Sequence, residues 1–265
     1  MSQAWPRPAH LAPAYAAQFE DVSVAAAYHT RPPYPVELFQ LLGALQPAGG
    51  VRAILDLGCG TGDVTLGLRG HAARIDAVDP SAAMLAVARR RRGARHPALR
   101  WIRGRAETCA LRGPYSLVVA GDSLHWMEWS VVMPRLAGVL APDAMLAIVT
   151  RDEVGTLPWA AELQELVRRH STNREFRPYD LIEEIVSRGL FHEAGRRVTA
   201  SVEFAQPLAD YVESFHSRNG FSRQRMASAG EFDAALGRLV TRWCGDGVVR
   251  RRVAARVVWG RPAAG

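Results

Sequence analysis

One stretch near position 60 constrains the fold of this chain more than any other, and it runs Ile54-Leu55-Asp56-Leu57-Gly58-Cys59-Gly60-Thr61-Gly62-Asp63. Its first four residues form a short and mostly apolar run, which is typical of a buried parallel strand. Glycines follow at alternate positions, where the missing Cβ lets a backbone turn sharply and come close to a ligand. Residues 63–68 are typical of a helix start. Together these features indicate a nucleotide site at the carboxyl end of a parallel sheet.

The spacing of the glycines separates this loop from a dinucleotide-binding fingerprint. That fingerprint is G-x-G-x-x-G, whereas the pattern here is G-x-G-x-G after an acidic residue, Asp56. A carboxylate on the rim repels phosphate and suits a cationic or ammonium-bearing ligand. D-L-G-C-G-T-G resembles the first motif of the class I S-adenosylmethionine-dependent methyltransferases. The resemblance implies that the cofactor lies against Asp56, Gly58, Cys59, Gly60, Thr61 and Gly62. The alternative is a glycine-rich turn that binds no ligand.

Length and composition fit one large domain, or one domain with a smaller lid. Hydrophobic residues make up 48% of the 265 residues, and no apolar run approaches the roughly 20 residues that span a membrane. Residues 1–6 lack the charged start of a signal peptide. The three cysteines, Cys59, Cys109 and Cys244, are far apart and form neither a metal-binding spacing nor a disulfide framework. We expect a reduced, cytoplasmic protein with no metal and no membrane contact.

The charge of the chain is basic, with a net charge of +7 and an isoelectric point of about 10.0. All 33 basic residues are arginine. A basic chain is compatible with a nucleic-acid partner. The densest run is Arg89-Arg90-Arg91-Arg92, with Arg95 after it, and it follows a predicted helix over residues 81–88. Because cations complement the dipole at a helix C-terminus, we interpret the run as a solvated helix end rather than a nucleic-acid patch.

A segment just before the first strand carries a second motif. DNA and RNA amino-methyltransferases hold a flipped base with an Asn- or Asp-Pro-Pro-aromatic motif after the fourth strand. Here Pro32-Pro33-Tyr34 follows Arg31 and precedes the first strand, so that match fails. Instead, Y-x-x-R-P-x-Y-P resembles small-molecule methyltransferases of the trans-aconitate methyltransferase type. This resemblance implies that the segment folds over the cofactor, with Tyr28 and Arg31 near the methionine carboxylate. The alternative is a helix connector that packs by its aromatics.

The second strand is predicted over Arg74 to Asp79. Asp79 ends it, seventeen residues after Gly62, where an acidic residue can accept hydrogen bonds from both ribose hydroxyls. Asp76 is a rival, but it lies in the middle of the strand. V-D-P-S-x-x-M-L again matches the family, which implies that Pro80 and Met84 lie at the cofactor, Met84 near the adenine. Alternatively, Met84 belongs to the core between helix and sheet.

The third and fourth strands are predicted over Leu99 to Arg103 and Tyr115 to Ala120. The family resemblance places a Gly-x-Ala-Glu after the third strand, and it implies that Ala106 and Glu107 hold the adenine edge. Glu107 is alternatively a solvent-facing loop charge. After the fourth strand, the backbone carbonyls of Gly121 and Asp122 are candidates to hold the methionine ammonium.

His125-Trp126 also follows the fourth strand, and the pair recurs in the family. A histidine can take a proton from a substrate hydroxyl, so His125 is a candidate base and Trp126 a candidate substrate contact. Alternatively, both residues are structural. A turn at residues 141–143 and a fifth strand over Met145 to Thr150 complete the predicted core.

We expect the part of the chain after Thr150 to determine substrate specificity. Helices are predicted around a sixth strand over Arg196 to Phe204, and they would build a lid over the methyl group. The lid's candidate substrate residues are Arg177, Arg218 and Asn219, and His216 is a second candidate base. Arginines can clamp an anionic substrate or be surface charge.

We therefore predict a Rossmann-like α/β fold: a seven-stranded, mostly parallel sheet with an antiparallel last strand, helices on both faces and a helical lid. The predicted segments are an N-terminal helical arm covering the cofactor (1–50), the cofactor-binding core (51–150), the lid with the sixth strand (151–245) and the last strand with the tail (246–265). A homodimer is one arrangement that the sequence permits.

The predicted function is S-adenosylmethionine-dependent methylation of a small molecule, at a carboxylate or hydroxyl oxygen. The alternatives are a nucleic-acid or protein methyltransferase and a cofactor-binding fold used for non-methylating natural-product chemistry.

Overall fold

The computed structural model describes residues 7–50 and 52–264. Residues 1–6, on which the prediction about a signal peptide rests, lie outside this range. The strands are β1 (Ala53–Leu57), β2 (Arg74–Asp79), β3 (Leu99–Arg103), β4 (Tyr115–Gly121), β5 (Leu140–Val154), β6 (Phe191–Val198), β7 (Val202–Pro207) and β8 (Val248–Pro262). The α-helices are α1 (Pro13–Ala16), α2 (Val22–Ala27), α3 (Val36–Ala44), α4 (Asp63–Gly67), α5 (Ala82–Arg90), α6 (Trp129–Ala137), α7 (Ala160–His170), α8 (Leu181–Ser187), α9 (Leu208–Phe215) and α10 (Ala229–Thr241).

The sheet runs in the order β3-β2-β1-β4-β5-β8-β6, and β7 also pairs with β8. The pairs among β1 to β5 are parallel, whereas β8 is antiparallel to both β5 and β6. The predicted fold class is confirmed, including the antiparallel last strand next to the fifth. The order reverses between β1 and β4, and ligands of such sheets bind outside the carboxyl ends of the strands at that point.

The number of strands differs from the prediction. The strand expected over Arg196 to Phe204 is two strands, β6 and β7, in an eight-stranded sheet. Thr199 lies at the break, and its backbone N–H donates to the Ala255 carbonyl while its Oγ1 accepts from the Ala255 N–H. A side-chain oxygen thus takes the place of a backbone acceptor there, an arrangement that hydrophobic alternation does not reveal.

The fifth strand is longer than the predicted range of Met145 to Thr150. α6 ends at Ala137, and β5 begins at Leu140, opposite Tyr115 of β4. β5 continues to Val154 because β8 pairs with it as far as Arg252. The turn predicted at residues 141–143 therefore lies inside the strand.

The chain is divided into two compact units, and each unit is built from separate segments of the sequence. The first unit comprises the described residues up to Arg31, Thr156–Tyr179 and Ala205–Arg250. The second comprises Pro32–Gly155, Asp180–Phe204 and the described residues from Arg251 on. The roles predicted for the segments 1–50, 51–150, 151–245 and 246–265 stay predictions.

Each unit has its own core. In the second unit, all five residues of β1 are buried, and Leu38, Leu117 and Val257 belong to the cluster that packs around the sheet. In the first unit, Tyr211 and Phe232 lie in an aromatic and aliphatic cluster between α7, α9 and α10. No helix in the described part of the chain is long and apolar enough to cross a membrane.

Candidate active site

The glycine loop between β1 and α4 adopts a conformation that other residues resist. Gly58, Gly60 and Gly62 have φ values of 72°, 54° and 85°, in the left-handed region. A Cβ added to Gly62 would lie 2.5 Å from the Trp101 ring, and one added to Gly58 would lie 2.5 Å from the Ser123 Cβ. Two of the three glycines are therefore required by close approach as well as by backbone angle.

The loop is held by the end of β2. The Gly58 N–H donates to the Val78 carbonyl at 2.8 Å, and the Gly60 N–H donates to Asp79 Oδ2 at 2.8 Å. Asp79 Oδ1 accepts from the Ser81 N–H, also at 2.8 Å. Asp79 thus holds the loop at the end of β2, where an acidic residue can also accept hydrogen bonds from a ribose. The ribose role stays a prediction.

The rival carboxylate, Asp76, has a different environment. It is fully buried in β2, where its Oδ2 accepts from the Tyr115 hydroxyl at 2.8 Å. The Arg74 and Arg100 guanidinium groups lie 3.6 and 3.4 Å from its two oxygens. These contacts fix Asp76 within the sheet rather than at the strand end.

Asp56 is buried rather than exposed on a rim. It lies in β1 with 1% of its surface exposed, and its Oδ2 accepts from the Thr65 hydroxyl of α4. Burial, together with the Asp79 and Asp63 carboxylates, raises the pKa of Asp56 to about 7. Burial also raises the pKa of the neighbouring Cys59 thiol well above its usual range. The stretch thus contains a carboxyl that helps to join strand and helix.

The end of β4 places a constrained backbone next to the loop. A Cβ at Gly121 would lie 3.2 Å from the Tyr34 hydroxyl, and the next residue, Asp122, has a left-handed φ of 49°. Asp122 Oδ2 accepts from the Tyr34 hydroxyl at 2.8 Å, and its Oδ1 accepts from the Arg151 N–H at 3.2 Å. The carboxylate is thus engaged within the protein, and the backbone carbonyls remain the predicted ammonium partners.

Arg151 is a candidate site residue that the sequence reasoning missed. Its side chain is 10% exposed, its guanidinium lies 4.1 Å from the centre of the Tyr34 ring, and one of its nitrogens is 3.5 Å from Asp63. Its Nε and Nη1 are buried and have no hydrogen-bond partner among the described residues. Buried guanidinium donors normally have acceptors. The signal in the sequence was an arginine directly after the predicted fifth strand.

His125 and Trp126 lie in a short 3-10 turn, Leu124–Trp126, directly after β4. Both are half-buried, and their ring centres are 4.7 Å apart at an interplanar angle of 54°. The turn follows Gly121 and Asp122, so the structure brings this pair to the same edge of the sheet as the glycine loop, at the carboxyl ends of β4 and β1. The base and substrate roles stay predictions.

The predicted adenine contacts take part in internal contacts as well. Glu107 Oε1 accepts from the Glu128 N–H at 2.9 Å, at the start of α6, and the Ala106 carbonyl accepts from Arg135 Nε at 3.2 Å. Met84 is 1% exposed on α5. Glu107 is therefore more than a solvent-facing loop charge, and Met84 belongs to the core whether or not it also faces a ligand.

Tyr28 and Arg31 belong to the first unit. The Arg31 guanidinium lies 4.0 Å from the centre of the Tyr28 ring, and its Nε donates to the Ser217 hydroxyl at 2.8 Å. Its Nη2 donates to the Ser217 carbonyl. Arg31 is thus already engaged within its own unit, and its predicted contact with the methionine carboxylate stays a prediction.

The geometry of His216 argues against the role of a base. The residue is fully buried, its Nδ1 lies 2.8 Å from the Phe221 carbonyl, and its Nε2 lies 2.6 Å from Asp233 Oδ1. Both ring nitrogens therefore have protein partners, and neither is accessible to an acceptor in this structure. His216 instead joins α9 to α10 through its contact with Asp233. A single histidine near a helix end does not reveal such a contact in the sequence.

The three predicted substrate residues of the first unit have different surroundings. Arg177 is exposed and donates to the Phe176 carbonyl at 2.7 Å. The Arg218 guanidinium lies 4.2 Å from the centre of the Phe215 ring. Asn219 accepts from Asn173 at 2.5 Å and donates to the Tyr15 carbonyl at 3.2 Å. Their substrate roles stay predictions.

Comparison with known proteins agrees with this geometry. Residues 54–143 match a family described as a methyltransferase domain. An uncharacterized methyltransferase of Mycobacterium tuberculosis is 36% identical over 150 residues, which cover 56% of this chain and 58% of that protein. A trans-aconitate 2-methyltransferase of Paracidovorax citrulli is 35% identical over 111 residues, covering 40% of this chain and 41% of that protein. The chain thus matches 58% of the length of the first relative and 41% of the length of the second.

A solved structure extends the similarity to most of the chain. It is described as a "Putative Type II Methyltransferase" from Anaeromyxobacter dehalogenans, with a TM-score of 0.63 and 26% sequence identity. The alignment covers 87% of this chain and 97% of that one. The similarity of fold therefore includes elements outside the matched domain.

Proposed function

We propose that this chain, which belongs to the class I S-adenosylmethionine-dependent methyltransferases, transfers the methyl group of its cofactor to a small molecule, at a carboxylate or hydroxyl oxygen. The observation that carries the proposal is the loop of left-handed glycines that Val78 and Asp79 hold at the point where the strand order reverses. An open α/β sheet binds its ligand at that point.

The residues present fit S-adenosylmethionine. Asp79 ends β2 beside the glycine loop, where an acidic residue can accept hydrogen bonds from ribose hydroxyls, and the Gly121 carbonyl at the end of β4 is our candidate partner for the methionine ammonium. The buried and unpartnered Nε and Nη1 of Arg151 offer two donors to an anionic group. We assign them to the methionine carboxylate, since Arg31 is engaged with Ser217.

The chemistry of transfer depends on positioning. When bound, S-adenosylmethionine supplies a sulfonium-activated methyl group for in-line displacement. The glycine loop and Asp79 hold the donor end, and residues after β4 hold the place where an acceptor oxygen would lie. A carboxylate acceptor needs no base. For a hydroxyl acceptor, His125 is the residue that would take the proton.

Two observations support a small-molecule acceptor. The sequence after β4 is Gly121-Asp122-Ser123-Leu124-His125-Trp126, which lacks the Pro-Pro-aromatic element that holds a flipped base. One relative is named as a trans-aconitate 2-methyltransferase, and its acceptor is a small acid. By analogy, a small carboxylic acid is the first acceptor to test here.

The test is release of S-adenosylhomocysteine, measured by mass spectrometry, from purified protein and S-adenosylmethionine. Panels of small carboxylic acids and phenols are compared with transfer RNA, duplex DNA and a histone mixture. Release that depends on a small acceptor supports the proposal. Release that depends only on a macromolecule contradicts it, and so does tight cofactor binding without turnover on any acceptor in the panels or in small-molecule extracts.

A further inference from the structure

A cleft of about 560 Å³ in the second unit is lined by basic side chains and one glycine. Its lining consists of Arg69, Arg89–Arg92, Gly93, Arg95 and His96, which we call the arginine cleft. None of these residues carries a carboxylate. Six guanidinium groups in one concavity repel one another, so the arrangement favours an anionic ligand.

Separate segments of the chain build the arginine cleft. Arg69 follows α4. Arg89 and Arg90 are the last residues of α5, Arg91 and Arg92 follow it, and Arg95 lies in the turns before β3. Gly93 has a left-handed φ of 86°, and a Cβ added to it would have the Arg69 side chain as its nearest neighbour, at 3.7 Å. Arg69 therefore packs over the turn at Gly93. A helix end alone, as the sequence suggested, would not create this concavity.

Arg89 Nη2 donates to the Trp101 carbonyl at 3.3 Å, and backbone carbonyls also order two further arginines of the cleft. Arg69 Nη1 donates to the Leu66 carbonyl at 2.7 Å, and Arg91 Nη1 donates to the Thr61 carbonyl at 3.0 Å. Arg91 also forms an ion pair with Asp63. These contacts fix the positions of the two side chains before any ligand arrives, which lowers the entropy cost of binding.

The other arginines of the cleft are not matched by carboxylates. Arg90, Arg92 and Arg95 are exposed and form no ion pair within the part of the chain that the structure describes. Many arginines elsewhere do have carboxylate partners. Arg223, for example, contacts both Glu213 and Asp233.

The guanidinium group determines which anion fits. Its planar fork donates two parallel hydrogen bonds to phosphate, and such charge-assisted bonds are about twice as strong as neutral ones. A volume of about 560 Å³ suits a small ligand rather than an extended strand of nucleic acid. We propose that the arginine cleft binds a compact anion carrying two or more phosphate groups, such as an inorganic or nucleoside polyphosphate.

The experiment titrates tripolyphosphate into the purified chain by isothermal calorimetry at about 150 mM salt, where weak long-range attraction is screened. We expect saturable one-to-one binding. The triple variant Arg90→Gln/Arg92→Gln/Arg95→Gln, which removes the unpaired guanidinium groups, should bind roughly ten-fold or more weakly. Adenosine triphosphate serves as the second probe and should lose affinity in parallel.

A matched control separates a site from general charge. The variant Arg112→Gln/Arg238→Gln/Arg242→Gln removes the same charge from exposed positions outside the cleft and should bind within about two-fold of the original chain. Equal weakening of both triple variants overturns the proposal, as does non-saturable binding or tighter binding of an RNA oligonucleotide than of tripolyphosphate. Circular dichroism checks folding, and if the glutamine variant unfolds, the corresponding lysine variant must still weaken binding, because it keeps the charge but loses the fork.

Discussion

At the scale of single residues, Asp79 connects the glycine loop to the second strand and is the predicted ribose ligand. Its two oxygens accept from the Gly60 and Ser81 N–H groups at 2.8 Å. We expect Asp79→Ala to weaken binding of S-adenosylhomocysteine by roughly ten-fold or more, measured by isothermal calorimetry. Glu183→Ala, which removes an exposed carboxylate of the same unit, should leave the affinity unchanged. Unchanged affinity in Asp79→Ala would remove the ribose assignment.

Arg151 allows a sharper test because one part of the ligand can be omitted. If its free donors bind the methionine carboxylate, Arg151→Ala should weaken S-adenosylhomocysteine by roughly ten-fold. The same variant should bind 5′-methylthioadenosine, which lacks the carboxylate, within about two-fold of the original chain. Arg31→Ala is the matched comparison, because the sequence assigned the same role to Arg31. Equal losses for both ligands in Arg151→Ala would show a purely structural role, and a selective loss in Arg31→Ala would support the earlier assignment.

The buried carboxyl of Asp56 predicts a pH dependence of stability. Its pKa is about 7 in the folded chain, against 3.8 for a solvent-exposed aspartate side chain. The folded state therefore holds this proton more tightly than the unfolded state, so its contribution to stability is full below about pH 4 and falls as the pH rises to about 7. Asp56→Asn cannot ionise and keeps an acceptor for Thr65.

The unfolding free energy of Asp56→Asn minus that of the original chain should increase between about pH 4 and pH 8, by at most about 4 kcal/mol. Urea unfolding of the ligand-free protein at the two pH values measures this. Glu183→Gln, at an exposed position, is the control for removal of a carboxylate. If the difference in unfolding free energy between Asp56→Asn and the original chain does not change with pH, the raised pKa of Asp56 is contradicted.

The residue scale also shows where sequence reasoning works. Asp79 could be predicted because the distance from a glycine loop to the next strand end varies little in such folds. Arg151 could not, because its surroundings depend on Tyr34, Asp63 and Asp122, which come from three separate segments. The surroundings of His216 could not be predicted for the same reason, since its partners Phe221 and Asp233 are known only from the folded unit.

At the scale of elements, the turn from β1 to α4 should be the least tolerant of substitution. Gly62 has a left-handed φ of 85°, and an added Cβ would lie 2.5 Å from the Trp101 ring, which is itself held by a 3.0 Å hydrogen bond to the Ala94 carbonyl. Left-handed backbone costs a residue other than glycine roughly 1–2 kcal/mol, and the contact adds to it. Gly62→Ala should therefore lose more than about 2 kcal/mol of unfolding free energy, measured in urea.

Gly70→Ala is the control for this prediction. A Cβ there would meet nothing within 4 Å, and Gly70 is not among the glycines with positive φ. Its unfolding free energy should stay within about 0.5 kcal/mol of the original. Equal stability of the two variants would mean that the turn can relax and does not require glycine.

Hydrophobic pattern predicted the elements of the parallel sheet well and the later strands less well. β2 has the bounds expected from its apolar run, because it lies inside the sheet and five of its six residues are buried. β3 also has the predicted bounds, although it is an edge strand and is only partly buried. Beyond β5, pairing is antiparallel and many side chains are exposed. A short polar interruption such as Thr199 then divides a strand without changing the pattern.

At the scale of the whole molecule, the fold class followed from sequence, but the division into units did not. Sequence reasoning proceeds along the chain and predicted consecutive segments. The units instead join distant segments, as in the ion pair between Asp21 and Arg225 within the first unit. Such contacts join residues that are far apart in the sequence, so the sequence says least about the part of the chain that we predict to select the acceptor.

The measurement that tests the central claim most directly is the fate of tritium from methyl-labelled S-adenosylmethionine, incubated with the chain and a small-molecule extract. Methyl transfer to a carboxylate predicts label in an organic-soluble product, and mild base should release that label as volatile methanol. Transfer to a hydroxyl predicts an organic-soluble product that resists base. Asp79→Ala should reduce the amount of either labelled product. Label confined to precipitated nucleic acid or protein, or no transfer by a chain that binds the cofactor, would contradict the account.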